Sequence, residues 1–132
     1  MGGKFSRDKG KRGERAIATL LRNYGFLVRR GWQTAGASVP DVIIEELPLL
    51  WNEVQDSAVS VWAKMEQARG DMMHAWRGRT MSEGHAPRAV VWSKKDGEWY
   101  ATVNAEFMAE VLRKKYEHEK GQYAERSDAK ED

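Results

Sequence analysis

The spacing of apolar residues in the first half of the chain predicts one helix followed by three strands. Apolar residues recur at helical spacing before Gly25, a residue type that commonly ends helices, in the set Ala16, Ile17, Leu20, Leu21 and Tyr24. We therefore predict a helix over 10–24, preceded by a basic, mobile start over 1–9. Short apolar runs predict strands over 26–30, 42–44 and 49–55, separated by a Gly/Ser/Thr-rich loop over 31–39 and a tight turn over 45–48.

The second half of the chain predicts a long helix, a hairpin and a last helix. One apolar stripe marks a helix over 58–76, in the set Val61, Met65, Ala68, Met72 and Trp76. After a loop over 77–87, strands over 89–92 and 99–103 flank Asp96-Gly97, a strong hairpin signal. Asn104 is the expected N-cap of a helix that ends at Tyr116.

This order, αβββαββα, predicts an α/β fold with a single mixed β-sheet flanked by helices. We expect the domain to span residues 1–116. The charged residues 117–132 have too few apolar side chains to form a core, and we expect them to be disordered.

Charge is distributed unevenly along the chain, although the net charge is only +2. Residues 1–30 hold nine lysines and arginines against Asp8 and Glu14, whereas the tail from Tyr116 holds six acids against three bases. A basic region of this kind indicates a polyanionic partner. The absence of cysteine excludes disulfides and thiolate metal sites, and no apolar run reaches the length of a membrane span. We expect a cytoplasmic protein.

Residues that could bind a metal or catalyse a reaction lie at the ends of two predicted strands. Asp41 begins the second strand, and Glu53 and Gln55 share one face of the third, because residues two apart in a strand point the same way. Pairing of the two strands brings Asp41 and Glu53 together. Two converging carboxylates repel each other unless a cation lies between them, and oxygen ligands suit Mg²⁺ or Mn²⁺.

Glu14 adds a third carboxylate. At about 100° per residue, Glu14 lies about 20° from Leu21 around the helix axis, at the edge of the apolar stripe. From this position it can reach a metal site or can stabilise the first turn of its helix through the helix dipole. The spacing leaves both interpretations open. Each acid taken singly also has an ordinary structural interpretation, in a turn or on a solvent-facing edge.

The wider pattern resembles the Holliday junction resolvases of archaeal and phage type, which belong to the PD-(D/E)xK nuclease superfamily. The similarity spans about residues 9–113. The matching pieces are Gly13-Glu14-Arg15, Gly25-Phe26, Arg30-Gly31 with Gln33 and Gly36, Pro40-Asp41, Glu53-Val54-Gln55 and Glu66-Gln67-Ala68. The resemblance implies a restriction-endonuclease-like core. It also implies a homodimer with two active sites that cuts four-way DNA junctions with Mg²⁺ or Mn²⁺.

The resemblance also assigns roles to individual residues. Glu14, Asp41 and Glu53 would be the acids of the metal site, and Val54 would lend its backbone carbonyl. Gln33 or Thr34 would lie beside the scissile phosphate. We expect phosphates to be held by the basic residues and by polar residues near the site, namely Lys9, Lys11, Arg12, Arg15, Arg29, Arg30, Gln33, Thr34 and Gln67. The loop over 77–87 and the charged tail depart from the family pattern.

The principal departure is Gln55, which stands where the family has a lysine. That lysine orients the attacking water and offsets charge in the transition state, whereas glutamine keeps a donor without the charge. Gln55 acts alone, or Lys64 on the following helix supplies the cation, or the domain binds branched DNA without cutting it. Another superfamily nuclease acting on duplex DNA and a structural protein without a nucleic-acid partner also stay open.

Overall fold

The computed structural model describes residues 2–31, 38–55, 60–77 and 86–131, with side chains described over 11–31, 38–55, 60–77 and 86–122. Three helices and five strands follow one another as α1 (Gly2–Asn23), β1 (Val28–Arg30), β2 (Val42–Ile44), β3 (Leu50–Gln55), α2 (Val61–Ala75), β4 (Arg88–Lys95), β5 (Glu98–Thr102) and α3 (Ala105–Glu131). The predicted order of elements is confirmed.

The five strands form a single mixed sheet in the order β1-β2-β3-β4-β5. Strands β1 and β2 are antiparallel to each other, as are β2 and β3, and β4 and β5. Strands β3 and β4 are parallel, and α2 makes the crossover between them. The chain therefore has the predicted α/β fold, and its topology is consistent with a restriction-endonuclease-like core.

Alternation along the strands divides the core into two layers. Val54 of β3 packs with Ile17, Ala18 and Leu21 of α1. Trp51, which lies three residues before Val54 on the same strand, packs with α2 through Met65, Ala68 and Met72. Side chains of odd and even number in β3 thus face different helices. Glu53, which shares the parity of Trp51, is therefore on the α2 side of the sheet.

The tryptophans that the structure describes contribute to the core, with one exception. Trp51 is buried, Trp92 and Trp99 pack against the α1 layer, and Trp76 packs against the α2 layer. Trp62 is 79% exposed, and Trp32 lies outside the described residues.

Two adjacent methionines of α2 differ in burial. Met72 is buried between α2 and the sheet. Met73 is exposed.

The helices are longer at the chain ends than the apolar pattern predicts. Helix α1 begins at Gly2, not near residue 10, and α3 continues to Glu131, not to Tyr116. The predicted helix bounds are therefore wrong at these two ends, whereas the expected mobility of residues 1–9 and disorder of residues 117–132 stay predictions. Apolar periodicity marks only the turns that pack on other elements, whereas charged residues with good helix propensity extend a helix without such contacts. In α3 the pairs Arg113–Glu117 and Lys115–Glu119 contribute i,i+4 interactions.

The chain divides into two compact units, one up to Thr102 and one from Val103. In the second unit, the side-chain oxygen of Asn104 accepts from the Phe107 N–H at 2.8 Å, so the predicted N-cap is confirmed. Within the part of the chain that the structure describes, no helix combines the length and apolar character needed to cross a bilayer.

Gly31 allows the end of β1 to approach the start of β2 closely. Its N–H donates to the Asp41 carbonyl at 3.0 Å. A Cβ atom at this position would lie 1.8 Å from the Pro40 carbonyl oxygen, which is a severe clash with backbone. A residue without a side chain is thus needed at position 31 to hold Asp41 in place.

We predict that Gly31→Ala lowers the free energy of unfolding by about 1–3 kcal/mol, because the backbone around Pro40 must shift. Gly70→Ala is the matched control. Its added Cβ meets nothing within 4 Å, and we expect about 0.5–1 kcal/mol of stabilisation in the helix interior. Urea unfolding of the two variants measures both effects. Equal behaviour of the two variants would contradict the close approach at Gly31.

Candidate functional site

Strands β2 and β3 bring Asp41 and Glu53 side by side. Val42 pairs with Asn52 in the antiparallel register, and the Asp41 N–H donates to the Asn52 carbonyl at 3.0 Å. Continuing the register by one residue sets Asp41 opposite Glu53. Their carboxyl groups lie within hydrogen-bond reach of each other, as the sequence predicts.

Two N–H groups of β3 hold these carboxylates in position. The indole Nε1–H of Trp51 donates to Glu53 Oε1 at 2.8 Å. The backbone N–H of Val54 donates to Asp41 Oδ2 at 2.9 Å. The role of Trp51 was not predicted, although its position two residues before Glu53, on the same strand face, is a usable signal.

Burial raises the pKa of Glu53 to about 8. The hydrogen bond with Asp41 and the negative charge of Asp41 act in the same direction, whereas the Trp51 N–H and the Lys64 ammonium oppose them. Near neutral pH the Asp41–Glu53 pair therefore favours retention of a proton. This indicates an excess of negative charge that a bound cation would relieve.

Lys64 of α2 reaches the carboxylate pair from the helix side. Its Nζ lies 3.9 Å from Glu53 Oε2, and the side chains of Lys64 and Glu53 are 20% and 7% exposed. An ion pair with this little solvent around it is screened much less than one at the surface. The structure thus brings the predicted alternative cation to the acidic pair.

Glu14 of α1 is held by Arg30 of β1. The Nε and Nη2 groups of Arg30 donate to the same oxygen, Glu14 Oε2, at 3.0 and 2.9 Å. Burial raises the pKa of Glu14, Arg30 opposes this rise, and the negative charge of Asp41 adds to it. Glu14 is therefore close enough to Asp41 for that charge to affect its pKa, whereas its spacing on the helix left this question open.

Gln55 lies at the end of β3 and lines an open groove of about 760 Å³. Cationic residues Arg12, Lys94 and Lys95 also line this groove. The predicted phosphate ligand Arg12 is therefore near Gln55. Lys94 and Lys95 were missed, because their strand was predicted to end at residue 92.

A second cavity, of about 380 Å³, is lined by Gly31 and by five cationic side chains from α1 and β1: Lys11, Arg15, Arg22, Arg29 and Arg30. We call it the basic pocket. Four of its cations were predicted to hold phosphate. Arg22 was missed, although it lies within about 40° of Lys11 and Arg15 around the helix axis.

Of the remaining predicted DNA contacts, the structure describes the side chain of one. Gln67 is exposed on α2. Gln33 and Thr34 lie outside the described residues, and so does the side chain of Lys9.

Carboxylate oxygens from Glu14, Asp41 and Glu53 are the donor type that Mg²⁺ and Mn²⁺ prefer. The raised pKa of Glu53 beside Asp41 fits a site that is completed by a cation. Among the side chains that the structure describes, no three acidic or histidine groups already stand in position to hold a metal ion. The metal-site assignment, including the Val54 carbonyl, stays a prediction.

Comparisons of the chain with protein families, with curated proteins and with solved structures found no match. The resemblance to junction resolvases therefore rests on the motif residues alone.

The raised pKa of Glu53 predicts a pH dependence of stability in the absence of divalent cations. In the folded state Glu53 keeps a proton that the unfolded chain releases above about pH 4.5. The contribution of this proton to the free energy of unfolding is therefore present at low pH and is lost as the pH rises through about 8. We expect up to about 4 kcal/mol of loss between about pH 5 and 9. Urea unfolding in EDTA measures it.

Glu53→Gln should flatten this pH dependence, because the amide does not titrate. Glu66→Gln, at an exposed position of α2, should leave it unchanged. A Glu53→Gln variant with the slope of the parent protein would show that Glu53 does not hold the proton.

Proposed function

We propose that this protein is a divalent-metal-dependent endodeoxyribonuclease that cuts branched DNA, with four-way junctions as its substrate. The observation that carries the proposal is the contact of half-buried Asp41 with buried Glu53 on adjacent strands, with the Lys64 ammonium 3.9 Å from Glu53. A paired carboxylate site beside a lysine is suited to phosphodiester hydrolysis. The choice of a junction as substrate comes from the sequence resemblance.

Each residue of the pair would have a separate part in this chemistry. Asp41 and Glu53 would hold the cation, with Glu14 and the Val54 carbonyl as further ligands. A divalent ion bound there lowers the pKa of water and offsets negative charge on a phosphate. The Trp51 and Val54 N–H groups fix the two carboxylates, so that little reorganisation accompanies the reaction.

Lys64 is a better candidate than Gln55 to supply the positive charge that the family's lysine provides. Its ammonium group is already beside Glu53, in a position with little solvent, where a positive charge stabilises a developing negative charge effectively. Gln55 would then act through hydrogen bonds in the neighbouring groove with Arg12. This arrangement favours the hypothesis that Lys64 supplies the cation over the hypothesis that Gln55 acts alone.

DNA binding is supported by cationic surfaces near the acidic pair. The basic pocket and the groove lined by Arg12, Lys94 and Lys95 present guanidinium and ammonium groups. Such groups contact phosphates and position DNA without reading its sequence. We further propose a homodimer, since paired cuts in a four-way junction need two sites related by a two-fold axis.

The direct test is incubation of the protein with a synthetic four-way junction and a matched linear duplex, in Mg²⁺ or Mn²⁺. Junction cleavage should be lost in Asp41→Asn and in Glu53→Gln, because each variant removes charge that holds the cation. Junction affinity in a gel-shift assay should be kept or increased, since repulsion of phosphate also falls. Cleavage at the parental rate by either variant would contradict the assignment, and cleavage of duplex alone would contradict the substrate.

A double-mutant cycle tests the roles of Lys64 and Gln55. We predict that Lys64→Ala lowers the single-turnover rate by about tenfold or more with little change in binding, and that adding Gln55→Lys restores it. Two cations that serve one role are strongly non-additive, whereas independent residues give additive effects. Small, additive effects of the two substitutions on the rate would exclude Lys64 as the cation that replaces the family's lysine. A parent protein that is silent while Gln55→Lys cuts would identify a binding module.

A further inference from the structure

Arg30 belongs to two sites at once. Its guanidinium lines the basic pocket and also donates two hydrogen bonds to Glu14, the third acid of the candidate metal site. The two bonds use Nε and Nη2, and a guanidinium has five N–H donors, so further donors remain for a second acceptor. The side chains of Arg30 and Glu14 are 34% and 20% exposed, so the pair is only partly solvated.

Two other cations of the basic pocket, Arg22 and Arg29, have partners within the protein. The Nε and Nη2 groups of Arg22 donate to the Val28 carbonyl at 3.2 and 2.7 Å, which holds its guanidinium in place at the cavity. Arg29 is paired with Glu45 on the exposed side. Among the described side chains the pocket thus combines five cations with two carboxylate partners, Glu14 and Glu45. A phosphate is the complementary ligand, because its oxygens match the bidentate geometry of guanidinium groups.

We propose that Arg30 is a latch: a phosphate of the DNA backbone that enters the basic pocket draws Arg30 away from Glu14, and the freed Glu14 then joins Asp41 and Glu53 as a cation ligand. The proposal rests on the proposed function, since it concerns how the same site is completed by its substrate. Without the phosphate, Arg30 neutralises Glu14. With the phosphate bound, Glu14 loses the Arg30 charge and keeps only the weaker attraction of Lys11 against the repulsion of Asp41, which a divalent cation relieves.

The latch predicts positive coupling between phosphate and cation. Because coupling between two ligands is reciprocal, DNA tightens cation binding by the same factor by which the cation tightens DNA binding. The chemical consequence is that a cation is held firmly only when a DNA strand is in place.

Equilibrium binding of Mn²⁺, measured by the electron paramagnetic resonance signal of the free ion, tests the latch without measuring activity. The titration is made with and without a short single-stranded phosphodiester oligonucleotide. The same oligonucleotide with a neutral methylphosphonate backbone is the control ligand, and each oligonucleotide without protein gives the background. We expect about tenfold tighter Mn²⁺ binding with the phosphodiester, and no change with the methylphosphonate.

Two matched variants separate the latch from simple electrostatics. Arg30→Gln removes the latch, so we expect tighter Mn²⁺ binding without DNA and a coupling factor near one. Arg29→Gln removes the same charge from the same pocket but leaves the Glu14–Arg30 pair intact, so the coupling should persist although DNA affinity falls. Coupling that persists in Arg30→Gln would overturn the latch, because direct contact of a phosphate with the cation would then explain it.

The remaining outcomes distinguish the latch from the proposed function. Mn²⁺ binding that is lost in Asp41→Asn but is equal with and without the phosphodiester overturns the latch and keeps the metal site. Failure of the parent protein to bind Mn²⁺ under either condition overturns both.

Discussion

The contact between the Asp41 and Glu53 carboxyl groups is the interaction on which the rest of the site depends. Antiparallel pairing of β2 with β3 forces the two acids together, and Gly31 permits the close approach that sets Asp41 at the start of its strand. Burial of Glu53, followed by its hydrogen bond with Asp41 and the negative charge of Asp41, raises the pKa of Glu53 to about 8. Such a pair is a reason to expect a bound cation, because a protein that does not use the acidic pair would be stabilised by its replacement.

The charged groups around this pair are acidic at the centre and basic further out. Lys64 lies beside Glu53, and Arg30 neutralises Glu14. Further out, the basic pocket and the groove beside Gln55 present cations without comparable numbers of acids among the described side chains. Negative charge at the centre and positive charge around it suit a site that holds a cation and a phosphate together.

The sequence predicts the strands and the acids well because both depend on local rules. Strand alternation and a short turn suffice to bring Asp41 to Glu53, and helical angles place Glu14 at the edge of its apolar stripe. Pairing of Arg30 with Glu14 could not be predicted, because it joins residues of a helix and a strand through the tertiary fold. The helix ends at Gly2 and Glu131 were missed, because the apolar period that predicts these helices does not extend to them.

The proposed function requires that Asp41 and Glu53 hold a divalent cation. Crystals of the protein soaked in Mn²⁺ test this requirement through an anomalous difference map recorded near the manganese absorption edge. We predict one dominant peak within about 2.0–2.6 Å of oxygens from both side chains. Absence of a peak between them at saturating Mn²⁺, or a dominant peak elsewhere, would exclude this pair as the cation site.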